Sequence, residues 1–133
     1  MKFKIDSNDF SLILEGDIYK EDIGCMCDCI IKVSVMSNGF GAETSFDTDS
    51  AYLQKFEKDM LKLYETLSGN AQIGEDSHNG TYISFTGDNK GHIDIRGKLH
   101  SRLDDAGNLQ TLIFENSFDQ TCLTEFYNQC NKS

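Results

Sequence analysis

The chain has 133 residues, the size of one domain, and we expect residues 1–133 to form a single domain. Hydrophobic residues make up 38% of it, which excludes a disordered or fibrous chain. Acidic residues outnumber basic ones 22 to 12, and the formal charge of −10 argues against a nucleic-acid partner, because binding to phosphate relies on cationic side chains.

The N-terminus and the cysteines bear on the cellular location. Lys2, Lys4 and Asp6 place charges where a secretory signal would need an apolar core. No stretch approaches the ~20 apolar residues of a membrane span. The five cysteines are an odd number, which fits reduced thiols better than a framework of disulfides. We therefore expect a cytoplasmic protein without a membrane partner.

The first thirty residues predict two strands and a loop. Apolar runs at 3–5 and 10–14 are separated by Ser7-Asn8-Asp9, a pattern typical of a strand, a tight turn and a second strand. An acidic loop is expected to follow from Gly16 to Gly24.

Residues 25–47 predict a hairpin. Residues 25–37 alternate with period two, and the odd positions are apolar throughout, so we expect them to face the core. Asn38-Gly39 is suited to a type I′ turn, and a return strand follows over 40–47.

A single long helix is predicted next. Asp47 and Asp49 offer N-cap oxygens, and the pattern continues to about Leu67. Gly69 is expected to end the helix, because glycine enters the left-handed conformation most easily. The apolar positions gather on one side, as in a helix that packs across a sheet. They are Leu53, Phe56, Met60, Leu63, Tyr64 and Leu67.

The second half returns to strands. We expect them over 81–86, 92–103 and 109–115, and Ser117 with Gln120 fits a capping box that opens a short C-terminal helix. The predicted fold class is therefore α+β: a mostly antiparallel sheet of about seven to eight strands, with one central amphipathic helix and a short C-terminal helix.

Cys25, Cys27 and Cys29 are a conceivable soft-metal site. However, alternate residues of a strand point their sulfurs in parallel, whereas structural zinc uses more widely spaced pairs that converge on the ion. The same face continues as Ile31 and Val33, so we expect core packing.

Polar residues at alternate positions of 92–102 include histidines, an aspartate and basic side chains, which nucleases and hydrolases also use. An antiparallel sheet with one wetted face produces the same alternation by default. Nucleophile, phosphate-loop and dinucleotide signatures are absent, so we expect no catalytic residue, cofactor or metal. The acidic excess instead favours a cationic protein partner.

A set of apolar, glycine and polar positions recurs in a recognisable order along the chain. These positions are Leu53, Phe56, Met60 and Leu63 in the helix, Leu67-Ser68-Gly69-Asn70-Ala71 after it, Gly91, Ile93, Ile95 and Gly97 in a later strand, and Leu112, Phe114, Asp119-Gln120-Thr121, Leu123 and Phe126 near the C-terminus. Together with the order of the predicted elements, this pattern resembles the WapI-type immunity proteins of bacterial polymorphic toxin systems. The resemblance covers nearly the whole chain.

This resemblance implies a cytoplasmic protein without enzymatic activity that binds and blocks a toxin domain, often one that attacks RNA. A basic nuclease would suit the acidic surface of this chain. Charge and predicted exposure in loops select the candidate partner-binding acids, which are Asp17, Glu21, Asp22, Glu75, Asp76, Asp104 and Asp105. Two alternatives remain: a small hydrolase or nuclease on the 92–102 face, and a binding or assembly module that has no toxin partner.

Overall fold

A computed structural model describes residues 2–7, 9–18, 29–74, 80–101 and 105–124. Within these ranges the chain forms eight strands, one α-helix and one short 3₁₀ helix. Their bounds, in chain order, are β1 Lys2–Ser7, β2 Phe10–Ile18, β3 Cys29–Ser37, β4 Phe40–Thr48, α1 Ser50–Thr66, β5 Ser68–Gly74, β6 Tyr82–Asp88, β7 His92–His100, β8 Thr111–Asp119 and the 3₁₀ helix Gln120–Leu123.

The strands form two four-stranded antiparallel sheets, each a simple meander, in the orders β1-β2-β3-β4 and β5-β6-β7-β8. The predicted α+β class is confirmed. We call these two sheets the first and the second sheet. The eight antiparallel strands agree with the predicted seven to eight, and α1 separates β4 from β5, so the chain begins the second sheet after the helix.

The predicted hairpin at Asn38-Gly39 is confirmed. Both residues have positive φ angles, +52° and +87°, as a type I′ turn requires. The N–H of Asn38 also donates to the carbonyl of Asp9, 2.8 Å away, which ties this turn to the turn between β1 and β2. In β3, Cys29, Ile31, Val33 and Val35 are buried as expected, while Cys25 and Cys27 lie outside the described residues.

Strand β2 is longer than predicted. The sequence suggests a loop from Gly16, but Gly16 and Asp17 continue the strand opposite Ile31 and Ile30 of β3. The ladder to β3 supplies backbone partners for these residues, so their low β-propensity does not end the strand.

The helix begins and ends about where predicted, but a different residue takes the left-handed position at its C-terminus. The Asp49 carboxylate caps its N-terminus by accepting from the N–H groups of Ala51 and Tyr52. Leu67, and not Gly69, takes the left-handed position at the C-terminus, with φ +60°. Leu67 is held there because its N–H donates to the carbonyl of Leu63 and its own carbonyl accepts from the N–H of Asn89.

The C-terminal part also departs from the prediction. Strand β8 runs on to Asp119, so Ser117 lies in a strand and caps no helix. Asp119 takes that role instead, and its carboxylate accepts from the N–H of Thr121 at 2.9 Å. The predicted C-terminal helix beyond Thr124 lies outside the described residues.

The core lies between the two sheets and under α1. Phe3 of the first sheet meets Phe85 of the second in a tilted arrangement, with ring centroids 6.3 Å apart, and the ring of Phe10 stacks on that of Phe118 at 6.1 Å. Phe56 of α1 reaches Phe85 at 5.9 Å, so the helix shares the core of the second sheet. The outer face of each sheet is therefore left to solvent.

Candidate partner-binding surfaces

Two of the seven predicted partner-binding acids lie within the described residues. Asp105 is exposed in a turn, as expected. Asp17 is also exposed, but it lies on the outer face of β2 and not in a loop. The other five lie outside the described residues: Glu21, Asp22, Glu75, Asp76 and Asp104.

The polar positions of β7 form part of the outer face of the second sheet. His92 and His100 stand at opposite ends of this strand, about 26 Å apart at the usual rise of an extended chain. The Nδ1 atom of His92 lies 3.5 Å from Asp88, whereas that of His100 lies 2.9 Å from the hydroxyl of Thr111. The two histidines therefore cannot act on the same substrate atoms.

The acids near His92 are engaged in local structure. Asp88 accepts from the backbone N–H groups of Lys90 and His92 at 2.7 and 3.0 Å, and these hydrogen bonds lower the pKa of its carboxyl group. The pKa of Asp119 is lowered by its bond to the N–H of Thr121. Asp88 thus stabilises the β6–β7 turn, and Asp119 stabilises the start of the 3₁₀ helix. These local hydrogen bonds account for both lowered pKa values.

The cysteines do not assemble a metal site in the part of the chain that the structure describes. Cys29 is fully buried among apolar side chains, and Cys122 is half-buried beside the core, where burial raises the pKa of its thiol. Within the described ranges no three histidine, cysteine or carboxylate side chains come together as metal ligands. For Cys29, the core role expected from the sequence is confirmed.

The outer face of the first sheet carries a groove that sequence reasoning did not identify. Its volume is about 610 Å³, and its lining includes Ile13 of β2, Ile30 and Lys32 of β3, and Glu15 and Glu43. Both isoleucines are half-buried although they point away from the core. The groove thus combines an apolar floor with charged walls.

The strand register shows how the charges surround this floor. Ile30 lies directly between Asp17 of β2 and Asp47 of β4, both of which are exposed. One row along the strands, Lys32 lies between Glu15 and Ser45. The sequence gives little indication of this arrangement. Each isoleucine alternates with polar residues along its own strand, and only the pairing of the strands brings these residues together.

The carboxylates of this face form no ion pair within the described ranges, although Lys2 and Lys32 stand on either side of Glu15. The ion pairs within the described ranges are Lys55 with Asp59, His92 with Asp88, and Arg96 with Glu115. None of them involves the outer face of the first sheet. The outer face of the second sheet, by contrast, holds two of the three.

A few large apolar side chains are also exposed. Phe40 is 71% exposed at the β3–β4 turn, Ile113 is 69% exposed on the outer face of β8, and Met36 is 49% exposed on the outer face of β3. Met36 lies diagonally across from Ile13, so it extends the apolar character of the groove toward the turn.

The comparisons with known proteins add the family. The family model described as "Immunity protein WapI-like family" matches residues 1–132. Among curated proteins and among solved structures, nothing matches the chain. Within the described ranges the structure has no helix with the length and apolar character of a membrane span. Because the match extends over essentially all of the sequence, the chain belongs to the WapI-like family of immunity proteins.

Proposed function

We propose that this protein is a cytoplasmic immunity protein that binds a cognate toxin domain and neutralises it without chemistry of its own. The observation that carries the proposal is the family match over residues 1–132. An immunity role needs a stable surface for one protein partner, and two sheets with solvated outer faces provide rigid surfaces of this kind.

The charge of the chain supports a basic, nuclease-like toxin. A nuclease binds a polyanion and therefore tends to carry a cationic surface, which an inhibitor with a formal charge of −10 can cover. Opposite surface charges on the two proteins also raise the rate at which they associate. We assign this steering to the acids selected from the sequence, which are Asp17, Glu21, Asp22, Glu75, Asp76, Asp104 and Asp105.

The hydrolase or nuclease alternative has less support. Its candidate histidines lie at the two ends of β7, and His92 is engaged with Asp88, the carboxylate that organises the β6–β7 turn. General acid–base catalysis requires such groups to meet around one reacting bond. A module that binds a partner other than a toxin is the remaining alternative, and the experiment below separates it from the proposal.

The test is protection of cells. We expect the gene immediately upstream of the one for this chain to encode a large secreted protein with a C-terminal toxin domain. That toxin domain is the probe, and it is produced in a bacterial host with and without the immunity protein. We expect growth arrest by the toxin alone and full growth when both are made. A toxin domain from an unrelated system is the control and should remain lethal. Arrest that persists despite soluble, folded immunity protein would refute the proposal.

A further inference from the structure

The groove on the first sheet has the features of a site for a long cationic side chain. Ile30 lines the groove and is half-buried. The neighbouring strands place Asp17 and Asp47 on either side of Ile30, just outside the groove lining. Side chains paired across adjacent strands stand about 5 Å apart, so both carboxylates are within reach of one group that rests on Ile30.

Arginine and lysine match this arrangement. Their aliphatic stems pack on apolar surface while the charged head reaches polar groups at the rim. A guanidinium can also donate to two carboxylates at once, because its five N–H groups are arranged as a planar fork. Ile30 would therefore contact the stem, and Asp17 and Asp47 would accept from the head.

The charge balance of the groove favours a cation over an anion. The described acids of this outer face are Asp6, Glu15, Asp17, Glu43 and Asp47, and its described bases are Lys2, Lys4 and Lys32. Lys2 and Lys32 stand on either side of Glu15, whereas both register neighbours of Ile30 are acids. Neither Asp17 nor Asp47 forms an ion pair within the described part of the chain, so a cation is favoured beside Ile30.

We propose that this groove is the docking site for a basic segment of the toxin domain, with an arginine or lysine seated on Ile30 between Asp17 and Asp47. The proposal rests on the proposed function for the identity of the partner. It goes further by placing the interface on the outer face of the first sheet, and it adds Ile30, Asp47 and Lys32 to the residues that determine binding.

The first test measures the dissociation constant of the complex with the upstream-encoded toxin domain. The near-isosteric pair Asp17→Asn with Asp47→Asn should weaken binding about tenfold or more, because charged groups at the centre of an interface commonly have effects of this size. The matched control, Glu65→Gln with Asp94→Asn, changes the net charge equally at exposed sites elsewhere and should alter binding less than about twofold.

Two further variants test the role of Ile30 in the groove and the sign of the partner's charge. Ile30→Ser should weaken binding, whereas Ile113→Ser, on the outer face of the second sheet, should not. Lys32→Gln should strengthen binding, because it removes a cation beside the incoming one. Weaker binding by Lys32→Gln, together with tighter binding by the aspartate variant, would indicate an anionic partner and overturn the proposal.

The outcomes separate this proposal from the proposed function. If the toxin domain binds the wild type and every groove variant equally well, the docking site is wrong and the immunity role stands. If the toxin domain does not bind the wild-type protein, both are wrong. We expect the asparagine and glutamine variants to keep the melting temperature of the wild type. This control shows that lost binding does not reflect lost folding.

A second experiment needs no toxin. The ¹⁵N-labelled protein is titrated with the capped peptide Gly-Arg-Gly-Arg-Gly, and with Gly-Glu-Gly-Glu-Gly as the control. We expect the arginine peptide to shift the amide signals around Asp17, Ile30 and Asp47 in a saturable way, and the glutamate peptide to leave them unchanged. Shifts spread evenly over all acidic surfaces would contradict a built site.

Discussion

At the scale of single residues, the contact between Gly97 and Phe114 shows how tightly the second sheet packs. The two residues are partners across β7 and β8, and the Phe114 ring fills the space that a side chain at position 97 would occupy. The ring also lies 6.2 Å from Phe10 of the first sheet, measured between centroids. The glycine thus allows an aromatic contact between the sheets.

Gly97→Ala should therefore destabilise the protein by about 2 kcal/mol, the usual cost of overpacking a core. The added methyl group would overlap the Phe114 ring and force it to move. Urea unfolding measures the loss. Adding Phe114→Leu should recover part of it, and Gln72→Ala on the outer face should change stability by about 0.5 kcal/mol or less. A fully stable Gly97→Ala variant would show that the ring moves without cost.

Asp88 gives a prediction about pH. Its pKa is lowered by the backbone N–H groups of Lys90 and His92, so its ionised form contributes stability above the pKa of the unfolded chain, about 3.9 for aspartate. That contribution is lost as the pH falls through the lower pKa of the folded state. Asp88→Asn should thus be less stable than the wild type at pH 7, and the difference should shrink toward pH 3. An unfolding difference that is constant with pH would contradict this role.

At the scale of elements, the start of α1 depends on one side chain. The Asp49 carboxylate accepts from the N–H of Ala51 at 2.6 Å and from that of Tyr52 at 3.2 Å, which satisfies two donors that the helix itself leaves unpaired. Asp49→Ala should cost about 1 kcal/mol, measured by thermal or urea unfolding, while Asp49→Ser should retain most of the stability. Equal stability of all three proteins would mean that water caps the helix equally well.

The sequence was informative about elements where one physical rule dominates. Alternation in β3 and the suitability of Asn38-Gly39 for positive φ angles are local features, so they predicted the β3–β4 hairpin. Strand β5 was missed, because Gly69 and Asn70 have low β-propensity and were interpreted as the end of the helix. The strand forms because its backbone pairs with β6 and because Ala71 and Ile73 are buried in the core.

The candidate site was less predictable for a related reason. Charge and exposure selected Asp17 from the sequence, but Ile30 and Asp47 become its neighbours only through the registers of two strand pairs. Ile30 also lies on the face of β3 opposite the predicted core, where a single isoleucine has no evident purpose in a linear sequence. The pairing of β2, β3 and β4 creates the groove, and no short sequence motif encodes it.

At the scale of the whole molecule, the acidic charge should act at a distance. Association with the toxin domain should slow as salt is added, because a formal charge of −10 steers a cationic partner over about 10 Å at 0.1 M ionic strength. Neutralising Asp17, Glu21, Asp22 and Asp105 together should lower the association rate and flatten its salt dependence. Stopped-flow fluorescence measures both. Unchanged kinetics in this variant would remove electrostatic steering from the account.

The architecture as a whole is suited to binding. The apolar side chains of both sheets and of α1 form one shared core, which leaves two solvated sheet faces of different character. On the second face, Arg96 pairs with Glu115 and His92 contacts Asp88, and the grooves there are lined mostly by polar side chains. On the first face no carboxylate forms an ion pair within the described ranges, and the groove there includes two isoleucines. This asymmetry makes the first sheet the better surface for a cationic partner.

The most direct test of the account is a calorimetric titration of the purified protein with the toxin domain encoded upstream of its gene. An immunity protein must hold its toxin at cellular concentrations, so we predict a one-to-one complex with a dissociation constant of about 10 nM or below. Loss of the toxin's activity at the same equivalence point should accompany binding. The absence of measurable binding between the two folded proteins at micromolar concentrations would contradict the account.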